Sequence, residues 1–287
     1  MQRALVLALI AIAGCGAAPP TCELPPHTAG APFLWRVQRA TDPPGPVVWL
    51  FGTIHDAGID QVPANVLAAA DSAPRFASEL GNVEPDPQTL VDLARLPYGK
   101  VLDQLLPADD WYDLVDAMRG AMNEDQLRHA RPWFAMTRLT ARVAPSPRPS
   151  MDDALAARAA EHHIPVDALE SWQQQMQALV DGVDIADLQQ AIHARKTIAC
   201  ELARMRAIYA SGDAAMLEPL VVVRDQATII DARNAKWRAQ IEGYATSGGA
   251  FVAVGVGHLL GDHGLPAELA RGGFTVQRVA DTSAAPR

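Results

Sequence analysis

Apolar residues fall into short dense runs near the two ends of the chain and into helix-spaced stripes between them. Phe33–Val37 has the composition of a strand. The turn-forming Asp42-Pro43-Pro44-Gly45-Pro46 separates it from a second apolar run beginning at Val47, so the pair reads as an antiparallel hairpin with a long loop. Pro63, at a first helical position, precedes Val66, Leu67 and Ala70 at helical spacing, and Pro74–Leu80 reads as a short strand ending at Glu79. From Pro87 to Ala144 the pattern is helical, punctuated at Pro97, Gly99, Pro107 and Pro132, and Ala144–Pro149 is a loop. Ser150 opens a helix to about Glu161, and His162–Glu170 supplies a strand and a turn. Trp172–Tyr209 reads as a pair of long helices, broken at Ser211-Gly212-Asp213, and Thr228–Tyr244 as another helix. Gly248-Gly249 turns into the apolar run Phe251–Val256, followed by a short helix at Pro266–Arg271 and a last strand at Phe274–Val279. These elements predict an α/β fold of mixed α+β character. It has a central mixed β-sheet with internal pseudo-symmetry, flanked by helices and interrupted by a helical insertion over about 87–245, all within one domain at 33–280.

One phrase occurs twice. Val47-Val48-Trp49-Leu50-Phe51-Gly52-Thr53-Ile54-His55 and Phe251-Val252-Ala253-Val254-Gly255-Val256-Gly257-His258 are both buried-strand runs that break at a Gly and present a His three residues later. Two strand-end imidazoles brought together are what a transition metal needs; each alone reads as a satisfied polar residue closing a strand. Glu79, at the end of a neighbouring strand, is a metal ligand or general base, although on position alone a solvated strand-end Glu is the commoner case. Arg233 can hold a carboxylate or an oxyanion and Asn234 can orient a water or carbonyl; on sequence alone both also suit a solvated helix face. His162 and His163 are adjacent, point in different directions on any regular element, and read as surface residues.

The start changes the picture of compartment. A short basic opening, Met1-Gln2-Arg3, leads into an apolar run too short to span a bilayer, and then Ile12-Ala13-Gly14-Cys15. That segment resembles the lipobox of bacterial lipoproteins. It implies a signal peptide at 1–14, lipid on Cys15, a Pro/Ala-rich tether at 15–32, and a protein anchored in the cell envelope at the periplasmic face. An ordinary secretory signal with a chance Cys is the alternative. Membrane contact is through the lipid only. Two further cysteines, Cys22 and Cys200, can pair in an exported protein or remain free thiols. The chain of 287 residues is 49% hydrophobic and 20% charged, with net charge −9 and no Lys/Arg run. Nucleic acid is therefore not an expected partner. The tail at 281–287 reads as disordered.

Together, Gly52-Thr53-Ile54-His55, Glu79, Ala168-Leu169-Glu170-Ser171 with Gln174 and Gln175, Arg233-Asn234, and Val254–Gly261 with Gly264-Leu265 resemble the TraB/PrgY/GumN family over about Phe33–Val279. That family is related to the Tiki proteases and more distantly to erythromycin esterases and ChaN-like haem proteins. Ser150-Met151-Asp152 and Ser171 depart from its usual Gly-Met-Asp and Thr. The resemblance implies a divalent-metal site of His55, Glu79 and His258, with Mn, Co, Zn or Fe compatible with mixed N and O ligands. It also implies peptide hydrolysis by a metal-activated water, with Arg233 on the oxyanion and Asn234 on substrate. Asp56 or Asp152 would orient the imidazoles. Binding of a peptide or haem without catalysis, and small-molecule ester hydrolysis, are the competing expectations.

Overall fold

A computed structural model describes residues 22–26, 30–83, 86–147 and 149–280. The signal peptide, Cys15 and the tail from 281 lie outside the described residues. Six strands form one sheet: β1 (Leu34–Arg39), β2 (Val48–Thr53), β3 (Phe76–Ser78), β4 (Val166–Ala168), β5 (Ala250–Gly255) and β6 (Phe274–Arg278), in the order β4-β3-β5-β2-β1-β6. β1 runs against β2 and β6, whereas β4, β3, β5 and β2 are mutually parallel. The parallel strands β2, β3 and β5 read as nearly continuous apolar runs because they are covered on both faces. Phe51, Phe76 and Phe251 meet across them, with ring centroids about 6 Å apart.

The two repeated phrases lie side by side. Gly52 of β2 is opposite Val254 of β5, and Thr53 is opposite Gly255. The first phrase is the second strand of the expected hairpin. The second heads no hairpin, because β6 crosses to the far edge of the sheet and pairs with β1 instead.

Met151, Leu155 and Ala159 of the Met151–Glu161 helix, Leu265 and Leu269 of Leu265–Arg271, and Trp237 and Ile241 of Ala232–Tyr244 bury their apolar stripes in the sheet's core. The middle helices make a second core of their own from Leu102, Trp111, Leu114, Met118, Leu127 and Leu139, with Leu188 and Ile192. Trp172–Tyr209 is three helices rather than two: Trp172–Gly182, Ile185–Ala194 and Ile198–Ser211. Asp184 accepts hydrogen bonds from Ala186 N and Asp187 N in a capping box, which starts a new helix within a stretch of good helix formers. Cys22 and Cys200 are joined in a disulfide, with an S–S distance of 2.06 Å, which ties the N-terminal segment to the Ile198–Ser211 helix. Among the described residues no helix is long and apolar enough to cross a membrane.

Candidate functional site

Parallel strands bring their carboxyl ends to one edge, and this is where open α/β sheets present chemistry. Here four adjacent parallel strands each release one polar residue at that edge: Glu170 after β4, Glu79 after β3, His258 after β5 and His55 after β2. Backbone pairing continues past the strands, Leu169 N donating to Ser78 O at 2.9 Å and Glu170 N to Glu79 O at 3.0 Å. The two carboxylates are thereby held next to one another by the sheet itself.

Gly255 is the floor of the site. A methyl at its Cα would stand 3.3 Å from Glu79 Oε1, 3.8 Å from His258 Cδ2 and 3.9 Å from His55 Nε2, so those three groups converge on the space a side chain would fill. The Gly255 amide donates to Glu79 Oε1 at 2.8 Å, and Gln175 Nε2 donates to Oε2 at 2.8 Å.

Each imidazole is held by its Nδ1. His55 Nδ1 meets Asp152 Oδ2 at 2.8 Å, and Thr53 Oγ1 donates to the other oxygen of Asp152. His258 Nδ1 meets Asn234 Oδ1 at 2.7 Å. The Asn234 amide is oriented by its other bonds: Nδ2 donates to the carbonyls of His258 and His263 at 3.2 and 3.1 Å, which leaves Oδ1 as the acceptor. Both rings therefore carry their Nδ1 proton towards an acceptor and keep Nε2 for the site. This is the arrangement of a metal-ligating imidazole with an outer partner.

Arg233 lies at the centre. It projects from the first turn of Ala232–Tyr244, which continues a π-turn at Ala227–Asp231. Its guanidinium donates to Glu79 Oε2 at 2.6 Å, to Glu170 through Nε and Nη2 at 2.5 to 3.2 Å, and to His258 Nε2 at 3.1 Å. Its carbon sits 4.6 Å from the Trp237 ring centroid, and that ring packs 4.5 Å from His258.

The electrostatics follow. Burial alone would raise the Glu79 carboxyl, but His258, Arg233, His55 and the Gly255 amide outweigh it and bring it down to about 2, so Glu79 is ionised. Burial pushes His258 down to about 3, and Arg233 acts in the same direction, so the ring is neutral. Burial raises Glu170 despite its contact with Arg233. Asp152 pulls His55 up to about 9, although solvent around a side chain that is 71% exposed screens the pair.

The sequence-level site residues His55, Glu79, Arg233 and His258 are thus brought together. Asn234 differs: it is almost fully buried and spent on His258, not turned towards a substrate. Of the two acids proposed to orient the imidazoles, Asp152 does so, whereas Asp56 is bonded by Arg206 and Ser146 and touches neither ring. Glu170 and Gln175 had no assigned role; both lie in the segment carrying Leu169-Glu170-Ser171, which was the available signal. As a donor set, two oriented imidazole nitrogens and an ionised carboxylate fit a divalent ion. As an arrangement they are not gathered around one: among the described residues no three His, Cys, Asp or Glu side chains are grouped to hold a metal. Arg233 lies among them, its N–H groups engaging both Glu79 and the His258 lone pair.

No curated protein and no solved structure matches the chain significantly. The sequence model of one family, TraB/PrgY/gumN, matches residues 33–278, which takes in all six strands and the whole of the site. The chain belongs to the TraB/PrgY/gumN family.

Proposed function

We propose that the chain is a divalent-metal-dependent hydrolase of peptide bonds, held at the cell envelope by lipid on Cys15. The observation that carries the reading is the convergence of His55 Nε2, Glu79 Oε1 and the His258 ring on Gly255, each fixed from behind by Asp152, Gln175 and the Gly255 amide, or Asn234. His55, Glu79 and His258 would hold the ion. When bound, the ion would polarise a carbonyl and lower the pKa of a water towards neutrality. The rest falls to this chain's own groups. Arg233 offers N–H donors to a developing oxyanion, and Glu79, ionised at neutral pH, can take a proton. Asp152 and Asn234 hold both rings through Nδ1 and aim both Nε2 atoms at the site, and on His55 the ion would replace the Nε2 proton that Asp152 otherwise favours. The open side of His55 leaves room for substrate.

The test is to strip metal from the purified soluble body, restore Mn, Co, Zn or Fe, and assay a peptide library beside small esters. Turnover that needs metal and disappears in His55→Ala is expected; its absence sinks the reading. Hydrolysis of esters but not peptides would reassign the substrate. One observation favours a second reading. Arg233 already engages the His258 lone pair, which suits a protein that binds a peptide or haem without turnover. That reading expects ligand-induced stabilisation, or a haem absorbance band, with no product.

A further inference from the structure

Two buried carboxylates, Glu79 and Glu170, with side chains 9% and 4% exposed, share a single guanidinium.

The contacts of Arg233 divide into two groups. Its Nε edge is anchored on Glu170: Nε reaches both oxygens at 3.0 and 3.2 Å, and Nη2 reaches Oε1 at 2.5 Å. Its far edge reaches across to the strand ends, the same Nη2 to Glu79 Oε2 and Nη1 to His258 Nε2, and Nη1 also donates to the Ile229 carbonyl one turn back on its own helix at 3.2 Å. With Nδ1 donating to Asn234, His258 has one lone pair, and that pair can serve an N–H or a metal but not both. A cation at Glu79 and His258 therefore requires the far edge of Arg233 to leave. The near edge need not move, because Glu170 already holds it, and the Trp237 face beneath gives the flat guanidinium a surface on which to tilt.

We propose that Glu170 is the second seat of Arg233. The arginine side chain completes the site at rest by bridging Glu79 and His258, and it withdraws onto Glu170 alone when a divalent cation takes those ligands. In the withdrawn state Arg233 and Glu170 form a neutral pair, and Glu79 exchanges a guanidinium for the metal. Glu170 is then a positioning residue that acts through Arg233 and touches neither metal nor substrate. The inference rests on the metal-dependent reading above and names what competes for that site.

The experiment is calorimetric titration of Mn2+, and separately Zn2+, into the metal-free soluble body. It compares wild type, Glu170→Gln, and the double variant Arg233→Met with Glu170→Leu. Glu170→Gln keeps the shape and removes the second seat's charge, so Arg233 stays on Glu79 and the affinity falls by about tenfold. The double variant removes the competitor and replaces the Arg233–Glu170 pair with apolar groups of similar size, leaving Glu79 its bonds from Gln175 and the Gly255 amide. Its affinity rises by about tenfold, or from undetectable to measurable. Glu79→Gln abolishes the heat in the wild-type background, which locates it at this site. Changes of about threefold or more in both stated directions support the proposal. Metal binding by wild type with either variant unchanged, or shifted the opposite way, overturns it and leaves the metal-dependent reading standing. No metal bound by any of the three proteins overturns both. Should the double variant fail to fold, the direction of the Glu170→Gln shift decides alone.

Discussion

His55 and His258 follow two neighbouring parallel strands with the same Gly-x-x-His phrase, yet one side chain is 71% exposed and the other 4%. Their partners differ in kind. His55 is backed by a carboxylate that favours its charged form, whereas His258 is backed by an amide, covered by Trp237 and faced by a permanent cation that favours its neutral form. The β2–β5 register explains the contrast. Thr53 and Gly255 end their strands opposite one another, but His55 follows two residues after its strand end and His258 three after its own. A 3-10 turn at Val256–His258 then carries its His inwards. Two copies of one motif thus supply one open and one closed imidazole to the same site. A similar motif in two places does not imply interchangeable roles.

The largest effect should come from the group that makes the closed side closed. Arg233→Ala leaves two buried carboxylates without their cation and should cost about 3–5 kcal/mol in denaturant unfolding. A loss under about 1 kcal/mol would mean the cluster is solvated and the two halves are less different than described. His258→Ala follows at about 2–4 kcal/mol, since it removes a buried ring from Trp237 and orphans the Asn234 carbonyl oxygen. His55→Ala, on the open side, should stay within about 0.5 kcal/mol by the same measurement. Equal costs for the two would erase the contrast. Gly255→Ala should barely alter stability, because φ of −51° accepts a side chain. Its methyl, 3.3 Å from Glu79 Oε1, should nevertheless reduce any metal-dependent turnover by about tenfold or more.

The last contrast is one of sign with pH. His258 is held below its ordinary 6.5, to about 3, so the unfolded chain takes up a proton first and stability declines as pH falls from 6.5 towards 3. His55 is raised towards 9 by Asp152; its contribution is complete below 6.5 and disappears as pH rises through about 9. Unfolding free energies measured across pH should show the acid decline flattened in His258→Gln and a slight alkaline decline flattened in Asp152→Asn. Reversed assignments would exchange the two rings' roles.

Much of this was legible in the residues. Long apolar runs marked β2 and β5, and their Gly-x-x-His ends marked His55 and His258. Glu79 was found because it ends a third apolar run. The weaker signals were local. β4 is three half-buried residues after a turn, so Glu170 reads as an acid beside the helix start at Ser171 rather than as the fourth strand-end group. Asp56 and Asp152 are equally acidic in sequence, and only the packing of the Met151–Glu161 helix over β3 and β4 delivers the second to His55. The Arg233-Asn234 pair was recognisable as polar residues on a helix. That both lie buried, one across the strand ends and the other behind His258, depends on the tertiary placement of that helix.

The central claim is that the open and the closed imidazole serve one ion. Equilibrium dialysis against Mn2+ or Zn2+, with metal quantified on wild type, His55→Ala and His258→Ala, tests it directly. The account expects about one equivalent per chain in wild type and its loss in both variants. Wild-type metal content in either variant would contradict a shared site.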